Sequence, residues 1–167
     1  MPMAFAGSTL ADNVDSVLGL LTTAPSSSTP KYISLKNADL VEIEIWVKNG
    51  TTVTGSAITL KQATAVAGTS EKALAFTTYY SNTDANANSV MTKSTAASNT
   101  FTTDNTNSKQ LLYKIPVRPA MLDSDGGFDC IRAGTGDAAN TTVFAVTYNI
   151  VQKFRGNSAQ NKNMLLD

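Results

Sequence analysis

Three acidic side chains crowd one short stretch, Asp123-Ser124-Asp125-Gly126-Gly127-Phe128-Asp129. Carboxylates spaced among glycines are the raw material of an oxygen-lined calcium loop. An EF-hand loop also needs Gly at its sixth position and Glu at its twelfth. Counted from Asp123, those positions hold Phe128 and Gly134, so that pattern fails. A Gly-rich turn with solvated carboxylates is the simpler expectation, with a non-EF calcium site at Asp123, Asp125 and Asp129 as the sharper one. The run Gly134-Thr135-Gly136-Asp137 has glycines that could approach a phosphate, but it lacks the lysine of a phosphate-binding loop. It is expected to be a hairpin loop. Glu42 and Glu44 are two apart, so on a strand they share a face, as a glycosidase pair would need. No cleft is evident around them, and a solvated strand face is the simpler expectation. Trp46 falls on that face too, where it could stack on a sugar or pack against a partner.

Other chemistry is excluded by composition. The chain has no His, so no histidine base, no Ser-His-Asp triad and no imidazole ligand exist. Its one cysteine, Cys130, allows neither an intrachain disulfide nor a cysteine-based zinc site, and it is expected as a buried, inert thiol. No catalytic residue, metal or cofactor is expected. The 167 residues carry 13 basic and 13 acidic side chains, a net charge of +0, which gives no reason to expect nucleic acid as a partner. No apolar run approaches the ~18 residues that span a membrane. The start, Met1-Pro2-Met3-Ala4-Phe5-Ala6, lacks a basic segment followed by an apolar one, so synthesis in a reducing cytoplasm is expected. Only 16% of residues are charged, while Thr, Ser and Asn number 23, 15 and 14. Such a surface is hydrophilic without much charge, and it suits β-structure and uncharged contact faces.

The elements that would position these groups are mostly strands. In 39–48, Val41, Ile43, Ile45 and Val47 alternate with Glu42, Glu44, Trp46 and Lys48, the period of a half-buried strand. Asn49-Gly50 follows, a dipeptide suited to a tight hairpin turn. Further strands are expected at 54–63, 73–80, 90–95, 99–103, 109–117, 128–133 and 141–154. Pro116 marks an edge strand or a strand end. Before them, Val14, Val17, Leu18 and Leu21 have helical spacing, and Ala24-Pro25-Ser26-Ser27-Ser28-Thr29-Pro30 reads as an extended linker. Roughly eight strands with intervening turns indicate an all-β fold, an antiparallel β-sandwich that is jelly-roll-like, with an extended N-terminal arm. The expected organisation is an arm and linker over 1–30, a sandwich over 31–155 and a tail over 156–167.

The segment Thr54 to Phe76 contains Leu60-Lys61-Gln62-Ala63 and then Gly68-Thr69-Ser70-Glu71-Lys72-Ala73-Leu74. It resembles a pattern in structural proteins of tailed bacteriophages, where a strand ending in a Leu-Lys-Gln-Ala-like run precedes Gly-Thr-x-x-Lys-Ala-Leu. Tyr113–Val117, Phe128–Arg132 and Thr141–Tyr148 fit the same kind of small β-rich virion protein. The family it is most similar to is the head decoration, or cement, proteins, over about residues 31–155. The resemblance implies a jelly-roll-like or related fold and attachment to the capsid exterior. It further implies the major capsid protein as partner, a homo-oligomer (a trimer, or else a dimer) and no catalytic residues. A protein that joins subunits across seams needs arms with apolar residues to bury. Phe5, Leu10, Val14, Leu18, Leu20 and Leu21 at one end, and Met164, Leu165 and Leu166 at the other, are the candidate contacts. The rival expectations are a tail- or fibre-associated protein, a capsid-lattice subunit, or a carbohydrate-binding module. The last would show an aromatic platform around Trp46, Tyr79, Tyr80 or Tyr113.

Overall fold

The computed structural model describes residues 11, 13–23, 29–136, 141–153 and 165. Among these lie eleven strands: β1 (Val14–Thr22), β2 (Ile33–Ser34), β3 (Ala38–Asn49), β4 (Ala57–Ala63), β5 (Lys72–Ala73), β6 (Thr78–Asn82), β7 (Thr92–Thr95), β8 (Thr100–Thr102), β9 (Gln110–Val117), β10 (Cys130–Thr135) and β11 (Thr141–Gln152). They form two antiparallel sheets, a larger one ordered β1-β11-β3-β9-β6-β7 and a smaller one ordered β2-β10-β4-β5, with β8 also paired to β4. The chain is an all-β sandwich. The pairs β1·β11, β2·β10, β3·β9 and β4·β8 match each early strand with a late one. Folding that long hairpin over on itself brings β11 against β3 and β10 against β4. The result is the strand order of an eight-stranded jelly roll, with β5, β6 and β7 as additions that extend the sheets.

Alternation decides which side chains meet between the sheets. Val41, Ile43, Ile45 and Val47 of β3 lie in register with Val117, Ile115, Tyr113 and Leu111 of β9 on one side. On the other side they meet Ile150, Tyr148, Val146 and Phe144 of β11. All twelve are buried, and they face Ile58, Leu60, Ile131 and Ala133 of the smaller sheet in one core. Each such large side chain contributes about 1.5–3 kcal/mol of burial.

The N-terminal segment departs from the sequence expectation. Residues 14–22, whose spacing suggests a short helix packed on its own domain or an arm lying on a neighbouring subunit, are the edge strand β1, paired along β11. The register slips between Leu18 and Leu20, so Gly19 is a bulge. Val17 and Leu20 therefore point inward, while Leu18 and Leu21 point outward. A strand with one extra residue has an apolar spacing that imitates a helix, and pairing with β11 overrides that local pattern. Gly19 also makes room, because a Cβ there would collide with the Tyr148 ring.

Other expectations fail where the chain changes sheets. The strand expected at 73–80 is two strands, β5 in the smaller sheet and β6 in the larger, and Leu74 and Phe76 are both buried in the crossing. Asn49-Gly50 makes no hairpin, since β3 and β4 belong to different sheets. Asn49 is instead buried, with its amide donating to the carbonyls of Asp104 (3.0 Å) and Thr106 (2.9 Å). Gly134 and Thr135 lie in β10, and the chain from β10 to β11 likewise passes between sheets, so the expected hairpin is absent. Asp137 lies outside the described residues. Pro116 is inside the sheet but beyond the Leu112–Lys114 stretch that β6 pairs, where its missing N–H costs nothing.

Tyr148 ties the sheets together. Its buried hydroxyl accepts from the Ala133 N–H of β10 (3.1 Å) and donates to the Lys31 carbonyl (3.0 Å). At the other end of the core, the Tyr113 hydroxyl accepts from the Asp104 N–H (2.7 Å). Burial pushes both phenols well above the ordinary tyrosine range. A group whose pKa is higher folded than unfolded stabilises the fold below its unfolded value and loses that contribution as pH rises. Tyr148→Phe strands the Ala133 N–H and the Lys31 carbonyl, and urea unfolding should show a loss of about 1–3 kcal/mol. Burial and a hydrogen bond to Glu71 raise the Tyr32 phenol likewise, so in an alkaline titration followed by tyrosinate absorbance three of the five tyrosines, Tyr32, Tyr113 and Tyr148, should ionise well above the ordinary range.

Candidate interaction face of the larger sheet

The outward side chains of the larger sheet form rows set by register. One row runs Leu21, Ala145, Trp46, Leu112 across β1, β11, β3 and β9. The next runs Leu18, Thr147, Glu44, Lys114, Tyr80 into β6, and the third Ser16, Asn149, Glu42. Leu21 is 64% exposed, Leu18 55% and Trp46 41%, large apolar side chains that the fold itself does not cover. A groove of about 810 Å³ opens beside them, lined by Val14, Leu40 and Val151 at its apolar end and by Glu42, Glu44 and Lys114 at its polar end.

The polar groups here satisfy one another. Lys114 Nζ reaches Glu42 (2.7 Å) and Glu44 (3.3 Å). The Trp46 indole N–H donates to Glu44 (2.6 Å), and the Ser16 hydroxyl donates to Asn149 (2.8 Å). The hydrogen bond to Glu42 holds the Lys114 ammonium above the usual lysine range, assisted by Glu44 and opposed by burial. Glu42 and Glu44 thus lie side by side sharing one cation. A glycosidase pair would face each other across a substrate.

The sequence-derived contact residues divide. Val14, Leu18 and Leu21 share this face, whereas Leu20 packs into the core. Leu165 packs against the core and lines a cavity at the smaller sheet. Phe5, Leu10, Met164 and Leu166 lie outside the described residues. Trp46 joins the face, and so do Lys114, Ser16 and Asn149, which sequence reasoning did not single out. The alternation of β9 placed Lys114 outward, but only register sets it between the two glutamates. Of the possible aromatic platform, Tyr80 is on this face. Tyr113 is buried, and Tyr79 is stacked on Phe101 with ring centroids 4.1 Å apart.

The acidic loop is a turn built on its own contacts. Asp123 accepts from the Gly126 N–H (3.0 Å) and pairs with Lys72, which holds its carboxyl below the usual range. Asp129 pairs with Lys36 (3.5 Å) and accepts from the buried Cys130 thiol (3.1 Å). Among the described residues no group of three or more His, Cys, Asp or Glu is placed to hold a metal ion. Nor is any described helix long and apolar enough to cross a membrane. Compared with protein-family models, curated proteins and solved structures, the chain finds no match in any of the three.

Cross-strand ion pairs on a sheet contribute roughly 0.2–1 kcal/mol. Lys114→Met should cost about that much at pH 7. The Lys114 contribution is complete below the unfolded lysine pKa of 10.5 and is lost as pH rises through the higher folded value. Urea unfolding of both proteins should therefore show the gap shrinking above pH 10.5.

Proposed function

We propose that this chain is a structural, non-enzymatic virion protein that docks the outer face of its larger sheet on a tailed-phage capsid and stabilises the shell. The observation that carries this reading is the composition of that face. Leu18, Leu21 and Trp46 offer apolar area, and Glu42 and Glu44 beside them are both engaged by Lys114, which lowers the cost of covering the face. The jelly-roll order, an architecture used in viral capsid and lectin domains, and the resemblance over 54–76 support the same reading. Four strands about 4.8 Å apart and nine residues long give a patch of roughly 600 Å². A stable interface uses about 800 Å² per partner, so one copy binds weakly and a homo-oligomer, trimeric or dimeric, holds by multivalency. The partner is the major capsid protein, and the site is the capsid exterior.

The exposed Trp46 and Tyr80 beside Glu42 and Asn149 favour one second reading, a carbohydrate-binding face. The two separate experimentally. Purified particles should carry many copies spread over the head, and Leu21→Asp with Trp46→Ala should weaken attachment at least tenfold while leaving the thermal midpoint nearly unchanged. Absence from the head, or attachment indifferent to both substitutions, overturns the proposal. Binding on a glycan array that Trp46→Ala abolishes would establish the second reading instead.

A further inference from the structure

A cavity of about 470 Å³ opens on the smaller sheet, beside the satellite cluster of Tyr32, Ala63 and Cys130. Pro30 and Val66 give it an apolar wall, and Lys31, Glu71 and Arg132 give it a charged one. Its one carboxylate is crowded. The Tyr32 hydroxyl (2.7 Å) and Arg132 Nη2 (3.0 Å) both donate to Glu71, and Lys61, which does not line the cavity, pairs with it too. The bonds from Lys61 and Tyr32 hold the Glu71 carboxyl below the usual carboxylate range, so it is ionised at neutral pH. Lys31 and Arg132 against Glu71 still leave the lining one positive charge in excess.

That excess has no counterpart in the fold. Among the described residues Lys31 makes no ion pair. Its backbone is nevertheless fixed, the N–H donating to the Gly19 carbonyl (3.1 Å) and the carbonyl accepting from Tyr148 (3.0 Å). The Arg132 side chain is only 15% exposed and lies over the Tyr32 ring at 4.8 Å. Its Nε is buried and finds no acceptor among the described residues. Buried donors are nearly always matched, so an unmatched one in a cavity wall favours an acceptor brought from outside the chain.

The free groups set the chemistry of that acceptor. A single excess charge beside an ionised glutamate suits a monoanion, whereas a dianionic phosphate would be repelled by Glu71. A guanidinium carries its donors in a planar fork that matches the two oxygens of a carboxylate. The wall of Pro30 and Val66 suits a carbon stem, and the volume is that of a small-molecule site. We propose that the cavity beside Tyr32 binds an organic monocarboxylate with a short apolar stem, its carboxylate between Lys31 and Arg132 and its stem against Pro30 and Val66. The site belongs to the smaller sheet and does not rest on attachment through the larger one.

The test titrates the full chain with butyrate and follows proton–nitrogen NMR signals. The amides of Lys31, Tyr32 and Gly68 and the Arg132 Nε–H should shift along one saturable curve, with the millimolar affinity expected of so small a ligand. Butyramide, the neutral isostere, and inorganic phosphate should each bind roughly tenfold more weakly. Lys31→Gln alters an exposed side chain, so the thermal midpoint should hold while butyrate affinity falls roughly tenfold. Lys93→Gln makes the same charge change on β7 and should leave the affinity unaltered. No saturable shift at these groups, butyramide or phosphate binding as tightly as butyrate, affinity unchanged by Lys31→Gln, or an equal loss with Lys93→Gln overturns the proposal. N-acetylglutamate N-methylamide separates the sources of the carboxylate. Binding of this probe as tight as that of butyrate assigns a polypeptide side chain, weaker binding assigns a free acid, and either result upholds the site.

Discussion

The sandwich depends on how its two sheets are held at a fixed distance and offset, and Tyr148 is the side chain that does this most directly. It stands on β11, the strand that joins the first strand to the third, and its ring is wholly buried. Its hydroxyl satisfies one backbone group on β10 of the smaller sheet and another at Lys31, in the segment that leads into β2. A phenol is long enough to cross the core and polar only at its tip, so it links the layers without placing a polar atom in the middle of the apolar packing. The bulge glycine of β1 exists beside it because that ring takes the space a side chain would need.

From that constraint follows the character of the outer face. Once β11 and β3 are locked in register by their inward residues, their outward residues have no freedom of alignment. The same pairings that stack Ile43 against Tyr148 and Ile115 place Glu44 opposite Thr147 and Lys114. The apolar row of Leu21, Ala145, Trp46 and Leu112 is a by-product of core registration, as is the lysine shared by two glutamates. Core stability and the proposed docking chemistry are thus two faces of one set of strand pairings. The opposite surface differs: its cavity is walled by loops and by a charge cluster centred on Glu71, with Leu165 in its lining.

Much of the fold was legible because alternation is a local property. The inward residues of β3, β9 and β11 could be named from period two alone, and they are the buried ones. The failures cluster where local pattern carries no information about which sheet a segment joins. Ala73–Tyr80 reads as continuous, yet the chain crosses the core between Ala73 and Thr78. Asn49-Gly50 has turn chemistry, yet the asparagine serves as a buried clamp on a distant loop. Of the candidate site, Leu18, Leu21 and Trp46 were each singled out in the sequence, but for different reasons and in segments 25 or more residues apart.

By itself the sequence determined the β-rich class, the inner and outer partition of the long strands, and the absence of histidine chemistry, since each depends only on residue type and local spacing. Tertiary structure alone decided that residues 14–22 are a strand, that β1 pairs with β11 more than a hundred residues away, and that Lys114 falls between Glu42 and Glu44. Those outcomes rest on long-range registration. Local periodicity cannot encode it, because every alternating strand has an apolar face that would fit several partners, and only simultaneous packing of all of them selects one arrangement.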